Sequence, residues 1–279
     1  MNPTSLDGIG ETAVGVAALR ALENARQDRL FVDPYAERFV EAVAGDGYWE
    51  KAPSGWAGFA ELLAGQVAVR TRYLDEALLR AAAEGCGQVV LLASGMDARA
   101  YRLDWPAGTR VYEIDFAEVL AFKAGVLKGV EPRCEHVEVP ADLRTDWPGA
   151  LREAGFSPER PTAWLAEGML YALPPEAADV LLDRVSRLSA PGSVLAADHA
   201  PDNPVLRESR AALSPDLVDL WLGGPRQGLG DWLRGRGWAA EVRDVNEVAA
   251  EYSRPAPPAF DPARDGSGPG WLFTARLAG

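Results

Sequence analysis

Five carboxylates stand at or just past the ends of predicted β-strands in this chain: Asp97, Asp115, Asp142, Glu167 and Asp198. The most informative of them close the stretch from Gln88 to Asp115. An apolar run, Val89–Ala93, stops at a tight turn around Gly95, and a second β-rich run, Arg110–Ile114, ends in Asp115. In an open α/β sheet that layout brings backbone up to a nucleoside, and an acid about 20 positions after the turn takes the ribose hydroxyls. The turn lacks the third glycine that lets a helix close on a pyrophosphate. Arg99 and Tyr101 occupy positions where a phosphate cradle needs small residues. The chemistry indicated is recognition of a nucleoside that carries no pyrophosphate.

S-adenosylmethionine is such a nucleoside, with a sulfonium, an ammonium and a carboxylate besides its ribose and adenine. The turn residues Ala93, Gly95 and Asp97 are expected to line its site. Asp115 can accept from both ribose hydroxyls. Asp142 can accept from the adenine amino group, with Leu143 against the ring. Glu167, or the turn carbonyls near Ala93, can hold the ammonium. The carboxylate requires a cation, and Arg72 on the preceding helix is the candidate, since a guanidinium grips a carboxylate bidentately. Each residue also has a structural reading. Strand-end aspartates commonly cap the next helix, and Asp142-Leu143-Arg144-Thr145-Asp146 reads as a capping turn. Arg72 reads as a solvated helix residue, and His199 as a structural histidine. Trp56, Trp105, Trp147 and Trp164 read as core or subdomain contacts.

Composition narrows the partners. The 279 residues suit one α/β domain with an extra layer, or two joined subdomains. With 48% hydrophobic and 25% charged residues the chain is of ordinary soluble type. A net charge of −13, spread over the whole chain, disfavours nucleic acid and anionic membranes. Cys86 and Cys134 form no CxxC pair, so a reduced, cytoplasmic setting is expected and a disulfide framework is not. The opening residues carry neither a basic nor an apolar leader region, and no apolar run reaches the roughly 18 residues of a membrane helix. With His136 and His199 as the histidines, no metal site is expected.

The elements that must position these side chains follow from periodicity. Residues 1–85 read as a helical cap: a helix from Thr12 to Asn24 with Thr12 as N-cap, a second beginning at Asp33-Pro34, a loop from Gly45 to Gly58, and a long amphipathic helix from Phe59 to Glu84. Residues 86–279 alternate strands with helices. Strands are predicted at Val89–Ala93, Arg110–Ile114, His136–Pro140, Ala163–Ala166, Val194–Asp198, Ala240–Val245 and Trp271–Arg276. Helices are predicted near Ala98–Leu103, Ala117–Leu127, Pro148–Ala154, Pro175–Leu188 and Gly230–Gly235. The expected fold is a doubly wound, mainly parallel seven-stranded sheet with helices on both faces. Pro201 to Arg226 interrupts the alternation after strand five and is placed to form a lid. Asp261 to Gly270 reads as a turn between the last two strands.

These residues resemble a family over nearly the whole chain: class I, Rossmann-like methyltransferases of the leucine carboxyl methyltransferase-like group, in their bacterial branch. The resemblance is carried by Glu11-Thr12-Ala13 with Arg20-Ala21-Leu22-Glu23, by Asp28 and Phe31-Val32-Asp33-Pro34-Tyr35-Ala36, and by Arg70-Thr71-Arg72 with Asp75. It continues through the turn from Leu92 to Arg102, then Trp164-Leu165-Ala166-Glu167-Gly168 and Leu173-Pro174. It implies cofactor roles for Arg72, Gly95, Asp115, Asp142, Leu143 and Glu167. Two departures stand out. The family has glycine where Ala93 stands, so one methyl should press on the amino-acid portion of the cofactor. It has tyrosine where Ala172 stands, whereas Tyr171 comes one residue earlier, a rotation of about 100° on a helix. Altered acceptor specificity is the expected result.

Methyl transfer is an in-line displacement, so the protein must chiefly align the reacting atoms. A carboxylate acceptor needs no base, and the absence of a convincing triad or dyad favours it. A hydroxyl acceptor, as on a polyketide-like metabolite, calls for a general base. Tyr171 and His199 are the catalytic candidates. A third reading is a protein that binds the cofactor without catalysis. Tyr35, Tyr73, Tyr171, Arg207 and Trp221 are candidates for the acceptor surface, and the expected partner is a small-molecule or peptide acid from secondary metabolism.

Overall fold

The computed structural model describes residues 9–44, 55–213, 219 and 221–279. Three helices precede the sheet: α1 (Ile9–Asn24), α2 (Ala36–Ala44) and α3 (Trp56–Ala83). Then follow β1 (Gln88–Leu92), α4 (Arg99–Arg102), β2 (Arg110–Asp115), α5 (Ala117–Val126), β3 (Glu135–Pro140), α6 (Trp147–Glu153) and β4 (Thr162–Ala166). After a single 3-10 turn at Leu170–Ala172 come α7 (Pro175–Arg187), β5 (Val194–His199), α8 (Pro204–Leu213), α9 (Leu229–Arg234), β6 (Trp238–Asp244), α10 (Val245–Glu251) and β7 (Trp271–Leu277).

The seven strands form one sheet in the order β3-β2-β1-β4-β5-β7-β6. β1 to β5 are parallel, and β7 runs antiparallel between β5 and β6. Strand order reverses between β1 and β4, the position where such sheets open a crevice at their carboxyl ends. The central strands are buried throughout, as their apolar sequences QVVLL and TAWLA require. Alternation sorts their side chains by face. Val89, Leu91, Val111, Ala163 and Leu165 pack with α1, α2 and α3 in one cluster. Val90, Leu92, Tyr112, Ile114, Trp164 and Ala166 pack with residues of α6, α7 and α9 on the other. The N-terminal helices therefore share a core with the sheet.

Local chemistry shifts some element ends from their sequence expectations. The second helix begins at Ala36, because Asp33 caps the preceding turn: its Oδ1 accepts the N–H of Tyr35 at 3.1 Å, and its carbonyl accepts that of Ala36 at 3.3 Å. Pro34 lies in that turn rather than in the helix. Strand β6 stops at Asp244, one residue before the predicted end. The Asp244 side chain accepts the N–H of Asn246 at 2.7 Å and starts α10, a helix that periodicity over so short a segment does not reveal. Within the Pro201–Arg226 segment, α8 lays Val205 and Leu206 against Leu62 and Val69 of α3. Residues 214–218 and 220 of that segment and residues 45–54 of the predicted loop lie outside the described residues, as does the side chain of Thr12, which stands within α1 rather than at its N-cap because that helix already begins at Ile9. The Asp261–Gly270 turn is tied down: the Gly266 carbonyl accepts from Val205 N–H at 3.4 Å, and Ser267 Oγ donates to the Asp261 carbonyl at 2.6 Å. No helix among the described residues is long and apolar enough to cross a membrane, and both cysteines are free thiols.

Candidate active site

The turn after β1 is bent by two left-handed residues, Ala93 (φ 50°) and Gly95 (φ 48°). Glycine accepts this conformation without strain, whereas alanine does so at a cost of about 1–2 kcal/mol. The Ala93 side chain is exposed, so its methyl meets no protein wall. A Cβ at Gly95 would lie 3.0 Å from Ala13 Cβ, which shows how closely α1 covers the turn. Asp115, at the end of β2, fixes the turn from the neighbouring strand. Its Oδ2 accepts the Gly95 N–H at 2.7 Å and its Oδ1 the Phe116 N–H at 2.8 Å. Burial pushes its carboxyl above the ordinary value, against the pull of those two donors.

Behind the turn lies a buried network of arginines and acids. Arg99 is fully buried, with Nε 2.6 Å from Asp75 Oδ1 and Nη1 2.6 Å from Glu167 Oε2; it also pairs with Asp97. Arg70 joins the ends of β4 and β5, with Nε 3.0 Å from Glu167 Oε1 and Nη1 3.1 Å from Asp198 Oδ2. Asp198 also accepts the Gly168 N–H at 2.6 Å. Arg102 grips Asp75 with both terminal nitrogens, at 2.6 and 2.7 Å. Despite burial, the arginine neighbours hold Glu167 and Asp97 below the ordinary carboxylate range. Arg20 of α1 is buried beside this network, 3.8 Å from Asp33, and its Nε and Nη1 have no hydrogen-bond partner; nor has Nη2 of Arg99.

A second group of side chains lies beyond β5. A cavity of about 10 Å³ is lined by Arg70, Tyr171, Asp198, His199 and Trp221, among others. The Tyr171 ring stacks on that of Trp221 at 3.7 Å and 2°. Burial pushes the Tyr171 hydroxyl up to about 12 and the His199 imidazole below its ordinary value. His199 Nδ1 has no hydrogen-bond partner.

Ala93, Gly95, Asp97, Asp115 and Glu167 come together at the reversal of strand order. Asp142 stands past β3, held by Arg144 at 2.9 and 2.7 Å, with Leu143 half-buried on the edge of the second core. Arg72 does not join them. It is exposed, bonded to Glu76 at 2.6 Å and to the Leu30 carbonyl at 3.1 Å. Arg70 takes the buried position, because two residues turn a helix by about 200°. Its phase was legible: Arg70, Leu74 and Leu78 form one buried stripe of α3. Tyr171, His199 and Trp221 share the cavity. Tyr35 is set edge-on against Tyr101, Tyr73 places its hydroxyl 3.4 Å from Thr274 Oγ1, and Arg207 is exposed and paired with Asp202. None of these three lines the cavity. Tyr171 sits in a 3-10 turn and reaches the cavity despite its one-residue offset. Arg20 and Asp75 stand in the family-like segments and Asp198 at a strand end, but the sequence assigns them no role, because their contacts are distant in sequence.

The residues fit S-adenosylmethionine. Asp115 offers a carboxylate edge held by the turn, the acids of the network suit an ammonium and a sulfonium, and the unpartnered N–H groups of Arg20 and Arg99 suit a carboxylate. Sheet order and site together define an S-adenosylmethionine-dependent methyltransferase. Residues 13–186 match the family model described as leucine carboxyl methyltransferase. A protein of Mycolicibacterium smegmatis, assigned as an S-adenosyl-L-methionine-dependent methyltransferase, is 47% identical over 264 residues, covering 88% of each chain. One from Frankia alni with the same assignment is 47% identical over 257 residues, covering 90% of each. The crystal structure of a protein from Thermobifida fusca, assigned as a methyltransferase, matches with a TM-score of 0.55 at 20% identity, over 96% of this chain and 94% of that one, and shares the fold. The chain belongs to the leucine carboxyl methyltransferase family.

Proposed function

We propose that this enzyme is an O-methyltransferase that forms a methyl ester on the carboxylate of a small-molecule or peptidic natural product. The carrying observation is that, among the described residues, the cavity wall holds no activated base: Asp198, the acid next to His199, is bonded to Arg70 and to the Gly168 N–H, and His199 Nδ1 has no hydrogen-bond partner to orient it. Burial also pushes the Tyr171 hydroxyl up and the His199 imidazole down, which weakens each as a proton acceptor. A carboxylate acceptor needs neither, because it arrives ionised. The description of the matched family, leucine carboxyl methyltransferase, supports the same reading.

When bound, S-adenosylmethionine supplies an electrophilic methyl on a sulfonium. Asp115 would hold the ribose, Asp142 and Leu143 the adenine, and Glu167 the ammonium. Arg20 and Arg99 would face the amino-acid carboxylate, in place of the exposed Arg72. The protein's task is alignment and exclusion of water: charge is neutralised as the ester forms, so a closed, apolar surround favours the step. The two free thiols support a reducing, cytoplasmic setting.

A second reading, transfer to a hydroxyl, is favoured by the unpartnered Nδ1 of His199 on the cavity wall. Replacing His199 with alanine separates the two. The carboxylate reading expects single-turnover rates to stay within about threefold, whereas loss of a general base costs about 100-fold or more. A loss of the larger size, with cofactor affinity unchanged, would establish the hydroxyl reading.

A further inference from the structure

We propose that the acceptor is a planar aromatic acid whose ring takes the place that the Trp221 indole fills in this structure. The inference rests on the carboxylate reading and names the acceptor class for that site. The cavity of about 10 Å³ holds no more than a water-sized sphere, so one of its walls must move before an organic acid enters. Most of the walls are fixed in regular elements: Arg70 in α3, Asp198 and His199 in β5, Trp271 and Leu272 in β7. Trp221 lies outside any helix or strand. Two successive left-handed glycines follow it, Gly223 (φ 111°) and Gly224 (φ 75°). Glycine is required at the second on space as well, since a Cβ there would lie 2.7 Å from His199 Cε1. Trp221 is therefore the wall best placed to swing.

The place it fills is shaped for a flat ring. Tyr171 covers one face at 3.7 Å, nearly parallel, and the Arg210 guanidinium covers the other at 4.5 Å from the ring centroid. The Ala200 carbonyl accepts the indole N–H at the edge, at 2.8 Å. Both faces are held independently of Trp221. Arg210 is bonded to Asp202 at 2.8 Å, and Tyr171 is set by the 3-10 turn Leu170–Ala172, where the Met169 carbonyl accepts the Ala172 N–H at 3.0 Å. A phenol face and a guanidinium face both reward an aromatic ring over a saturated one.

The test uses the full chain with saturating S-adenosylmethionine and three acceptors: indole-3-propanoate, 3-cyclohexylpropanoate and 2-naphthol, with products read by mass spectrometry. The indole acid should show kcat/KM about tenfold above that of the cyclohexyl acid. Trp221→Ala removes the internal competitor and should lower the KM for the indole acid several-fold. Calorimetric binding of indole-3-propanoate should tighten in the same variant, a readout independent of turnover. Trp221→Leu, which keeps apolar bulk, guards against a folding defect. Equal kcat/KM for the two acids would overturn the ring slot while leaving the carboxylate reading intact, and so would an unchanged or raised KM in both Trp221 variants. Methylation of 2-naphthol alone, with its KM lowered by Trp221→Ala, would support the slot and overturn the carboxylate reading. If no acceptor is methylated, failure of the indole acid to bind wild type and variant alike overturns the slot.

Discussion

Arg70 and Arg72 stand two residues apart on one helix and meet opposite environments: Arg70 is buried between Glu167 and Asp198, while Arg72 lies in solvent beside Glu76. The first ties α3 to the carboxyl ends of β4 and β5. The second is an exposed i,i+4 pair, worth a few tenths of a kcal/mol.

The two sites should respond very differently to substitution. Arg70→Met leaves Asp198 without its buried counter-charge and Glu167 with Arg99 alone, and should cost about 3–5 kcal/mol of stability. Arg72→Ala should change stability by less than about 0.5 kcal/mol and leave cofactor affinity unaltered. Urea unfolding and calorimetry with S-adenosylmethionine check both. A variant of Arg72 that lost cofactor binding would restore it to the site.

Acid should dismantle the same network. Glu167 has an ordinary value of 4.5 and is held below it in the folded chain by Arg99 and Arg70, against the cost of burial. A depressed carboxyl contributes stability that is fully present above its unfolded value and is lost as pH falls toward its folded one. The urea midpoint should therefore drop as pH falls from about 5 to 3, and Glu167→Gln should flatten that drop while lowering stability at pH 7. An equally steep profile in the variant would assign the acid sensitivity elsewhere.

How much of this was legible in the sequence depends on how local the determining chemistry is. Each of the seven strands follows from its own apolar run, and the Gly95–Asp115 relation from a turn and two strands within about 30 residues, the length of a βαβ unit. The partner of Arg99 was not legible, because Asp75 and Glu167 reach it from a helix before it and a strand well after it. Arg99 at the turn looked only like an obstacle to phosphate. It is the centre of the charge network. The Arg70 and Arg72 positions differ only in helical phase, which the buried stripe fixes and the dipeptide spacing does not. The contact of Tyr171 with Trp221 spans a segment whose sequence carries little periodicity, so the sequence shows two separate candidates where the structure has one stack.

Ala93 offers a test of the turn itself. Its φ of 50° is one that glycine adopts freely. Ala93→Gly relieves about 1–2 kcal/mol of native-state strain and costs about 0.4–1 kcal/mol through the looser unfolded chain, so stability should rise by up to about 1.6 kcal/mol. Ala93→Val should instead destabilise, since a β-branched residue fits the left-handed region worse. A thermal midpoint that fell in the glycine variant would contradict the strain.

The central claim is that the methyl ends on a carboxylate. It is tested most directly by running the enzyme with S-adenosylmethionine labelled in its methyl group and indole-3-propanoate as acceptor, then treating the product with mild alkali. A methyl ester releases the label as volatile methanol, and the account predicts that nearly all of it is released. Product label that stays fixed through alkaline hydrolysis, as in an ether or a C-methyl group, would contradict it.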